Sequence, residues 1–431
     1  MRASERTPVP EQVWRAPTAT KPLDATLALP GSKSITNRAL LIAALADAPT
    51  TLRGALRSRD TDLMAAGLRA LGPAVDDEND EWHVHPAALH GPAKVDCGLA
   101  GTVARFLVAT GQLASGQVHF DGDPRLRERP MRPLLDALRQ LGADIDDGGR
   151  NGFPLTVNGI GVLAGGETVL DASTSSQFVS ALLLVAPRAA GAVVVRHVGP
   201  PLPSLPHIAM TVAMLRDRGA VIDDSEPDVW RIEPSVLRGG TVAVEPDLSN
   251  AAPFLAAALV AGGTVRVANW PITSTQPGAA IRELLVQMGA DVSLHDGVLA
   301  VSGGGRIAGL GDVDMRECSE LVPTLAVLAA LAGGPTTMHG IAHMRGHETD
   351  RLAAIAHELN ALGGDVSETL DGLHIVPKPL HGGVFGTYHD HRMATSGALL
   401  GLAVPDMFVE NVATTAKTMP TFVPLWDALL S

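Results

Sequence analysis

Several features that would assign a chain to a particular class of protein are scarce or missing here. Only 2 of the 431 residues are cysteine, too few for a disulfide framework, and no spacing of cysteine and histidine resembles a zinc site. The apolar runs, such as 321–331, are shorter than the roughly 20 residues that a membrane-spanning helix needs. Residues 1–20 contain no apolar signal core. We therefore expect a cytoplasmic protein that has no membrane partner and binds no metal.

The charge balance argues against nucleic acid as a partner. The formal net charge is -13 at pH 7, whereas a nucleic-acid surface needs clustered basic residues. With 46% hydrophobic and 18% charged residues the chain can bury a large core, and its length favours at least two domains. Any anion that it binds is therefore expected to be small.

A glycine closes an amphipathic helix and opens a strand, a turn and a second strand five times along the chain. These glycines are 70 to 77 residues apart and are Gly72, Gly142, Gly219, Gly289 and Gly363. An almost wholly apolar helix recurs with the same period, at 35–46, 103–114, 178–190, 251–261, 321–332 and 393–404. Because these helices are apolar on nearly every side, we expect them to be buried, with sheets and amphipathic helices wrapped around them.

The repeat predicts an α/β fold of two domains, each an inside-out barrel of three βαβαββ units. Five units are complete, so the sixth must be split across the termini, and 13–29 is expected to supply the strands that its C-terminal part lacks. One domain is then discontinuous and consists of 1–31 plus 246–431, and the other is 32–245. The active site is expected in the cleft between these domains.

Polar and cationic side chains stand at the start of each apolar helix. Serine and asparagine are ordinary N-caps, and capping is the simpler interpretation of Ser249 and Asn250. A cation at a helix N-terminus opposes the helix dipole unless an anion lies between them. Lys33, Arg38 and Arg392 therefore indicate anion sites. Helix starts that face one cleft would attract a substrate with several negative charges.

Six motifs, in order along nearly the whole chain, resemble those of the 3-phosphoshikimate 1-carboxyvinyltransferases, or EPSP synthases. They are 29–34 with 37–40, 123–130, 175–178, 348–352, 390–394 and 415–418. The resemblance implies transfer of the enolpyruvyl group of phosphoenolpyruvate to the 5-hydroxyl of shikimate 3-phosphate, with release of phosphate. This reaction belongs to aromatic amino acid biosynthesis, and the family is the target of glyphosate. We expect a monomer that uses neither a metal nor an organic cofactor.

The same resemblance implies which residues bind each of the two substrates and which take part in catalysis. Shikimate 3-phosphate is expected at Lys33, Ser34, Arg38, Ser175, Ser176, Gln177, Ser204, Glu320 and His347. Phosphoenolpyruvate is expected at Lys33, Gly101, Arg129, Gln177, Arg351, Arg392 and Lys417. We expect Glu320 to accept the proton of the 5-hydroxyl, and Glu348 with Lys33 to deliver a proton to the methylene carbon. His347 is a further catalytic candidate, and the sequence leaves open whether Glu320 or Lys33 is the kinetically important base.

The chain departs from the family's pattern at several of these places. Leu99 stands where asparagine is common, His207 where tyrosine is frequent, Glu320 where aspartate is frequent, His343 where asparagine is frequent and His347 where lysine is frequent. The extra methylene of Glu320 changes the reach of the expected base. A histidine at 347 makes activity sensitive to pH near neutrality.

Two other interpretations compete with this one. The UDP-N-acetylglucosamine enolpyruvyl transferases resemble this fold but use a cysteine in the loop before the second amphipathic helix, and here that loop, 123–129, has none. Cys97 lies upstream of the second buried helix. A noncatalytic repeat scaffold would explain the glycines and the buried helices, but not the lysines and arginines that recur at one end of the units.

Overall fold

The computed structural model describes residues 13–78 and 81–431. They form two compact units, which we describe separately. Unit 1 contains 13–28, 249–270 and 280–431, and unit 2 contains 29–248, apart from the two undescribed residues, together with 271–279. Segment 271–279 thus groups with the central part of the chain, whereas the sequence analysis assigned it to the domain that contains both termini.

The helices and strands recur in the order that the sequence repeat predicts. The strands are β1 (Val13–Arg15), β2 (Leu23–Leu27), β3 (Thr50–Arg53), β4 (Ala74–Glu78), β5 (Glu81–His85), β6 (Ala93–Asp96), β7 (Ser115–Asp121), β8 (Ile145–Asp146), β9 (Leu155–Ile160), β10 (Gly166–Leu170), β11 (Val193–His197), β12 (Val221–Asp223), β13 (Val229–Glu233), β14 (Gly240–Ala243), β15 (Gly263–Val267), β16 (Asp291–His295), β17 (Val298–Gly303), β18 (Gly311–Asp314), β19 (Thr336–His339), β20 (Asp365–Glu368), β21 (Leu373–Val376), β22 (Val384–Phe385) and β23 (Phe408–Glu410). The α-helices are α1 (Lys33–Ala44), α2 (Arg59–Leu71), α3 (Gly101–Gly111), α4 (Pro124–Arg127), α5 (Arg132–Gln140), α6 (Gln177–Val185), α7 (Leu205–Asp217), α8 (Leu248–Ala261), α9 (Ile281–Gln287), α10 (Val322–Ala330), α11 (Arg351–Ala361), α12 (His391–Gly401) and α13 (Phe422–Leu430). Short 3-10 helices cover Ala186–Arg188, Pro277–Ala280, Arg316–Leu321, Ala342–Gly346 and Val412–Lys417.

Five four-stranded sheets share one strand order. In each, a leading strand pairs in parallel with a second strand, which pairs antiparallel with a hairpin. Unit 2 contains β14-β3-β5-β4, β6-β7-β9-β8 and β10-β11-β13-β12, and unit 1 contains β2-β15-β17-β16 and β18-β19-β21-β20. The period of the glycines in the sequence is therefore the period of the sheets.

The sixth sheet shows how the split unit is completed. Its order is β22-β23-β1, with β1 antiparallel to β23, so the prediction that the N-terminal segment completes this unit is confirmed for Val13–Arg15. It is wrong for Leu23–Leu27, which pairs in parallel with β15 as the leading strand of another sheet. The reason is burial, because Leu23, Ala25 and Leu27 alternate onto one face and each is less than 10% exposed.

The six apolar helices are buried as predicted. Every residue of α3 is buried, and α6, α10 and α12 are buried over nearly their whole length. The five repeating glycines have φ between +89° and +123°. Glycine adopts this left-handed conformation without the steric cost that a side chain brings, which is why it ends each amphipathic helix.

Two distant parts of the chain run side by side at the start of α1. The backbone N–H of Ser32 donates to the carbonyl of Glu245 at 2.8 Å, and that of Asp247 donates to the carbonyl of Pro30 at 3.0 Å. Both segments in this contact belong to unit 2. The contact brings the start of α1, with Lys33, next to the segment that leads into α8. Within 13–78 and 81–431, no helix combines the length and the apolar character that a membrane crossing requires.

Two candidate active-site clusters

Lys33, the first residue of α1, lies beside a buried carboxylate. Ser32 caps the helix by accepting a hydrogen bond from the N–H of Ile35. The Nζ of Lys33 lies 3.3 Å from Oδ2 of Asp60, and the backbone N–H of Lys33 donates to Asp247 at 3.1 Å. Asp60 is 2% exposed. The sequence analysis missed this partner, although an acidic residue at the start of α2 is a common feature of helix N-termini.

Arg38 is buried one turn further along α1 and is bound by the protein itself. Its Nε donates to Thr211 at 2.7 Å, its Nη2 donates to Ser180 at 3.2 Å and to the carbonyl of His207 at 3.2 Å, and its guanidinium lies 5.2 Å from the centroid of the Phe106 ring. Arg38 is only 1% exposed. These contacts link α1 to α6 and α7.

The predicted serines precede α6 and α7. The hydroxyl of Ser175 accepts a hydrogen bond from the N–H of Gln177 at 3.3 Å, and Ser176 is buried at the start of α6. Ser204, before α7, is 7% exposed and has φ of 53°. A left-handed residue that is not glycine costs about 1–3 kcal/mol and is characteristic of functional sites. Arg38 contacts these two helices within their length, at Ser180, Thr211 and the carbonyl of His207.

Three side chains converge on Gly101 at the start of α3. A Cβ placed on Gly101 would lie 2.6 Å from Nη1 of Arg105, 3.0 Å from Oε1 of Gln177 and 3.1 Å from Nη1 of Arg129. Only glycine fits there without displacing these groups. The three predicted phosphoenolpyruvate residues of unit 2 other than Lys33, namely Gly101, Arg129 and Gln177, therefore lie together.

Arg129 is a buried cation without a carboxylate partner among the residues that the structure describes. It is 8% exposed, its Nη1 donates to the carbonyl of Leu99 at 3.4 Å and its Nε has no hydrogen-bond partner. In the same loop, exposed Arg125 and Arg127 pair with Glu128 and Asp121. Burying an uncompensated charge is costly, so Arg129 is a candidate site for an anion, whereas its two neighbours form surface ion pairs.

Arg105 is a member of this cluster that the sequence analysis missed. Its Nη1 donates to Oε1 of Gln177 at 2.7 Å, and its guanidinium lies 5.2 Å from the centroid of the Phe178 ring. Arg105 is 2% exposed. One arginine within the otherwise apolar helix α3 was the signal in the sequence, because a charge there has to meet a buried partner.

Unit 1 contains a network of charged side chains around Arg351, at the start of α11. Nε and Nη2 of Arg351 donate to the two carboxylate oxygens of Asp390 at 2.7 and 3.2 Å, and Nη2 also donates to Glu348 at 3.0 Å. Its Nη1 lies 3.0 Å from Nδ1 of His347, and Lys417 donates to Glu348 at 2.8 Å. Four predicted site residues, His347, Glu348, Arg351 and Lys417, are thus in direct contact. Burial opposes the charged form of Arg351, but the charges of Asp390 and Glu348 outweigh it and raise the pKa of the guanidinium.

Asp390 is fully buried and joins this network to α12. Besides binding Arg351 it caps α12 by accepting a hydrogen bond from the N–H of Arg392 at 2.9 Å. The guanidinium of Arg392 itself forms no ion pair or hydrogen bond with any residue of 13–78 or 81–431. Within the described part of the chain, Arg392 in unit 1 and Arg129 in unit 2 are therefore both cations without a carboxylate partner.

Glu320 lies near the end of the 3-10 helix Arg316–Leu321, and its charge acts on His343. The hydroxyl of Ser319 lies 3.0 Å from Nε2 of His343, and the rings of His343 and His347 are 5.4 Å apart. Burial lowers the pKa of His343 to about 4, although the charge of Glu320 acts in the opposite direction. The His343 imidazole is therefore neutral at pH 7.

The cysteines do not have the properties of a nucleophile. Cys97 is inaccessible, and burial, together with the charges of Asp96 and Asp121, raises the pKa of its thiol. Burial also raises the pKa of Cys318 to about 12. A thiol acts as a nucleophile through its thiolate, which neither residue forms near pH 7. No group of three or more histidine, cysteine, aspartate or glutamate residues arranged to hold a metal ion occurs in 13–78 and 81–431.

Known proteins resemble this chain along nearly its whole length. A family model described as EPSP synthase (3-phosphoshikimate 1-carboxyvinyltransferase) matches residues 17–426. The 3-phosphoshikimate 1-carboxyvinyltransferase of Kocuria rhizophila is 51% identical over 432 residues, which cover 97% of each protein.

Solved structures match the fold. An EPSP synthase from Acinetobacter baumannii superimposes with a TM-score of 0.81 at 26% identity, over 97% of this chain and 98% of that one. The enolpyruvyl transferase NikO from Streptomyces tendae, at 21% identity and 96% coverage of each chain, superimposes with a TM-score of 0.75 and shows the same mixed α/β fold. From the family match and the identity to the Kocuria enzyme, the chain belongs to the EPSP synthase family.

Proposed function

We propose that this chain transfers the enolpyruvyl group of phosphoenolpyruvate to the 5-hydroxyl of shikimate 3-phosphate and releases phosphate. The observation that carries the proposal is the cluster at Gly101, where the buried Arg129 has no carboxylate partner among the described residues. Phosphoenolpyruvate brings a phosphate and a carboxylate, the groups that a guanidinium binds best. Membership of the EPSP synthase family supports the same reaction.

We assign each substrate to the residues that the sequence predicts for it. Phosphoenolpyruvate is bound by Lys33, Gly101, Arg129, Gln177, Arg351, Arg392 and Lys417. Shikimate 3-phosphate is bound by Lys33, Ser34, Arg38, Ser175, Ser176, Gln177, Ser204, Glu320 and His347. The contacts within each cluster support this assignment, because they hold neighbouring members of each set in fixed positions.

The reaction is an addition followed by an elimination. The oxygen of the 5-hydroxyl bonds to C2 of phosphoenolpyruvate as its proton passes to Glu320, and the methylene carbon gains a proton. The bond between C2 and the phosphate oxygen then breaks, one proton of the resulting methyl group returns to Glu348 and the double bond re-forms, while the proton that Glu320 accepted leaves with the phosphate. We assign delivery of the proton to Glu348 with Lys33. Lys417, whose Nζ donates to Glu348 at 2.8 Å, holds that carboxylate in position.

Each unit is also proposed to be an inside-out barrel of three repeats. The common strand order of the sheets supports this arrangement, as does the burial of the apolar helices. In such a barrel the helix starts carry the chemistry, because the strands and amphipathic helices form the outer wall.

The choice of acceptor tests the proposed reaction. Purified protein should release phosphate from phosphoenolpyruvate when shikimate 3-phosphate is present, and not when UDP-N-acetylglucosamine replaces it. The product should carry the enolpyruvyl group on the 5-oxygen, which mass spectrometry and NMR identify. Equal phosphate release with the UDP-sugar would contradict the proposal.

Replacing Arg129 should weaken binding of phosphoenolpyruvate. We expect Arg129→Met to raise the KM for phosphoenolpyruvate by about 10- to 100-fold, the loss expected for hydrogen bonds to a charged group. Arg125→Met is the matched control, since Arg125 lies in the same loop but is exposed and paired with Glu128. Steady-state kinetics with each substrate varied in turn measure both variants, and similar KM values for the two variants would remove Arg129 from the site.

Glu320→Gln tests the base. An amide of the same shape cannot accept the hydroxyl proton, so kcat should fall by about 10²- to 10⁴-fold while binding of shikimate 3-phosphate is retained. Glu317→Gln, an exposed change in the same 3-10 helix, should leave kcat unchanged. Near-normal turnover of Glu320→Gln with normal binding of shikimate 3-phosphate would assign the base to another residue.

Acid should destabilise the fold through His343. Its pKa in the folded state, about 4, lies below the ordinary value of 6.5, so the unfolded chain takes up the proton first as the pH falls. The stabilisation is complete above pH 6.5 and is lost between pH 6.5 and 4, by up to about 3 kcal/mol.

His343→Gln keeps a group that can bond to Ser319 but does not titrate. Urea unfolding at pH 4 to 7.5 should therefore show a smaller loss of stability for this variant than for the wild type. His295→Gln, an exposed change in the same unit, should lose as much stability at low pH as the wild type does. Parallel curves for His343→Gln and the wild type would exclude His343 as the source of the pH dependence.

A further inference from the structure

The segment 386–390, which joins β22 to α12, has an unusual backbone. Tyr388 and His389 have φ of 53° and 57°, so two consecutive residues other than glycine are left-handed. Each such residue costs roughly 1–2 kcal/mol. A tight turn, in which the N–H of Asp390 donates to the carbonyl of Thr387 at 2.8 Å, follows from this path. The segment therefore needs contacts that hold it in place.

Both carboxylate oxygens of Glu358 bind this segment. Oε1 accepts a hydrogen bond from the phenol of Tyr388 at 2.6 Å, and Oε2 accepts one from the N–H of Gly386 at 2.8 Å. Glu358 is 6% exposed and has no ion-pair partner in the described part of the chain. Burying a carboxylate is costly unless hydrogen bonds satisfy it, so the segment and Glu358 stabilise each other.

Helix α11 thus holds the segment at both ends. Glu358 follows Arg351 by seven residues, a spacing that places both on one face of the helix. Glu358 binds the start of the segment and Arg351 binds its last residue, Asp390. Asp390 in turn caps α12 through the N–H of Arg392. A shift of the segment would therefore move the residues that the proposed function assigns to phosphoenolpyruvate.

We propose that Tyr388 and Glu358 are positioning residues for phosphoenolpyruvate: they hold 386–390 so that Asp390 stays on Arg351 and Arg392 keeps its place at the start of α12. This inference rests on the proposed function, in which Arg351 and Arg392 bind phosphoenolpyruvate. Tyr388 is the only tyrosine in the chain. Tyr388 is 40% exposed, and partial desolvation together with the hydrogen bond to Glu358 raises the pKa of its phenol.

Tyr388→Phe tests this role because it removes the hydroxyl and keeps the ring. We expect the KM for phosphoenolpyruvate to rise about tenfold, because a small misplacement of binding groups weakens binding. The KM for shikimate 3-phosphate should stay unchanged within about twofold. Glu358→Gln should also raise the KM for phosphoenolpyruvate. The double variant should raise it no further than Glu358→Gln alone, because both substitutions break the same contact between Tyr388 and Glu358. A lower melting temperature with an unchanged KM for phosphoenolpyruvate would show a merely structural role and overturn the proposal. Equal increases in both KM values would also overturn it.

Asp365→Asn is the matched control, since it removes an exposed carboxylate of the same unit that pairs with Lys378, and it should change neither KM. Hydrogen–deuterium exchange provides a measurement that does not depend on catalysis. Peptides covering 386–396 should exchange faster in Tyr388→Phe than in the wild type, and other peptides should not. If the wild type released no phosphate from the two substrates, the proposed function would fail, yet unchanged exchange in Tyr388→Phe would separately overturn the positioning role.

Discussion

The buried ion pair between Arg351 and Asp390 is the contact on which the charged cluster of unit 1 depends. The two side chains are 3% and 0% exposed, and breaking such a pair by removing one partner costs about 3–5 kcal/mol because the other charge stays buried. Three parts of the chain therefore keep their positions together: the start of α11, the cap of α12, and Glu348 with Lys417. The same contacts therefore stabilise unit 1 and fix the positions of its predicted site residues.

Unit 2 shows the complementary case, in which the protein leaves a buried cation incompletely compensated. Arg129 has only a weak contact to the Leu99 carbonyl, while Lys33 has Asp60 and Arg38 has hydroxyl and carbonyl groups. A folded protein tolerates an unpaired buried charge where a ligand supplies the counter-charge. Under the proposed function, phosphoenolpyruvate supplies this counter-charge at Arg129 and stabilises the fold. This arrangement distinguishes Arg129 from Arg125, although both stand in one loop and look alike in the sequence.

The elements that depend on local sequence pattern could be predicted from the sequence. The contacts that depend on which distant loops come together could not. The glycine period and the apolar helices follow from periodicity, and both recur in the structure. The anion sites that the charge at the helix starts predicts at Lys33, Arg38 and Arg392 stay predictions. Asp60 and Asp390, however, matter because they meet Lys33 and Arg351 in space, 27 and 39 residues away in the chain. The predicted pairing of Leu23–Leu27 was wrong for the same reason, because the pairing of strands 240 residues apart is set by burial and not by sequence neighbours.

Side-chain capping differs among the starts of the buried helices. Ser32 and Asp390 cap α1 and α12 through their side chains, α6 has a hydrogen bond from the N–H of Gln177 to the hydroxyl of Ser175, and α3 begins without a side-chain cap. A missing cap costs about 1 kcal/mol, but it leaves backbone N–H groups at the helix start that can bind an anion. Gly101 is the start of α3, where Arg105, Gln177 and Arg129 converge, and α10 also begins without a side-chain cap. Capping alone does not separate structural helix starts from anion-binding ones, because the proposed function also assigns Lys33 and Arg392, at the capped starts of α1 and α12, to phosphoenolpyruvate.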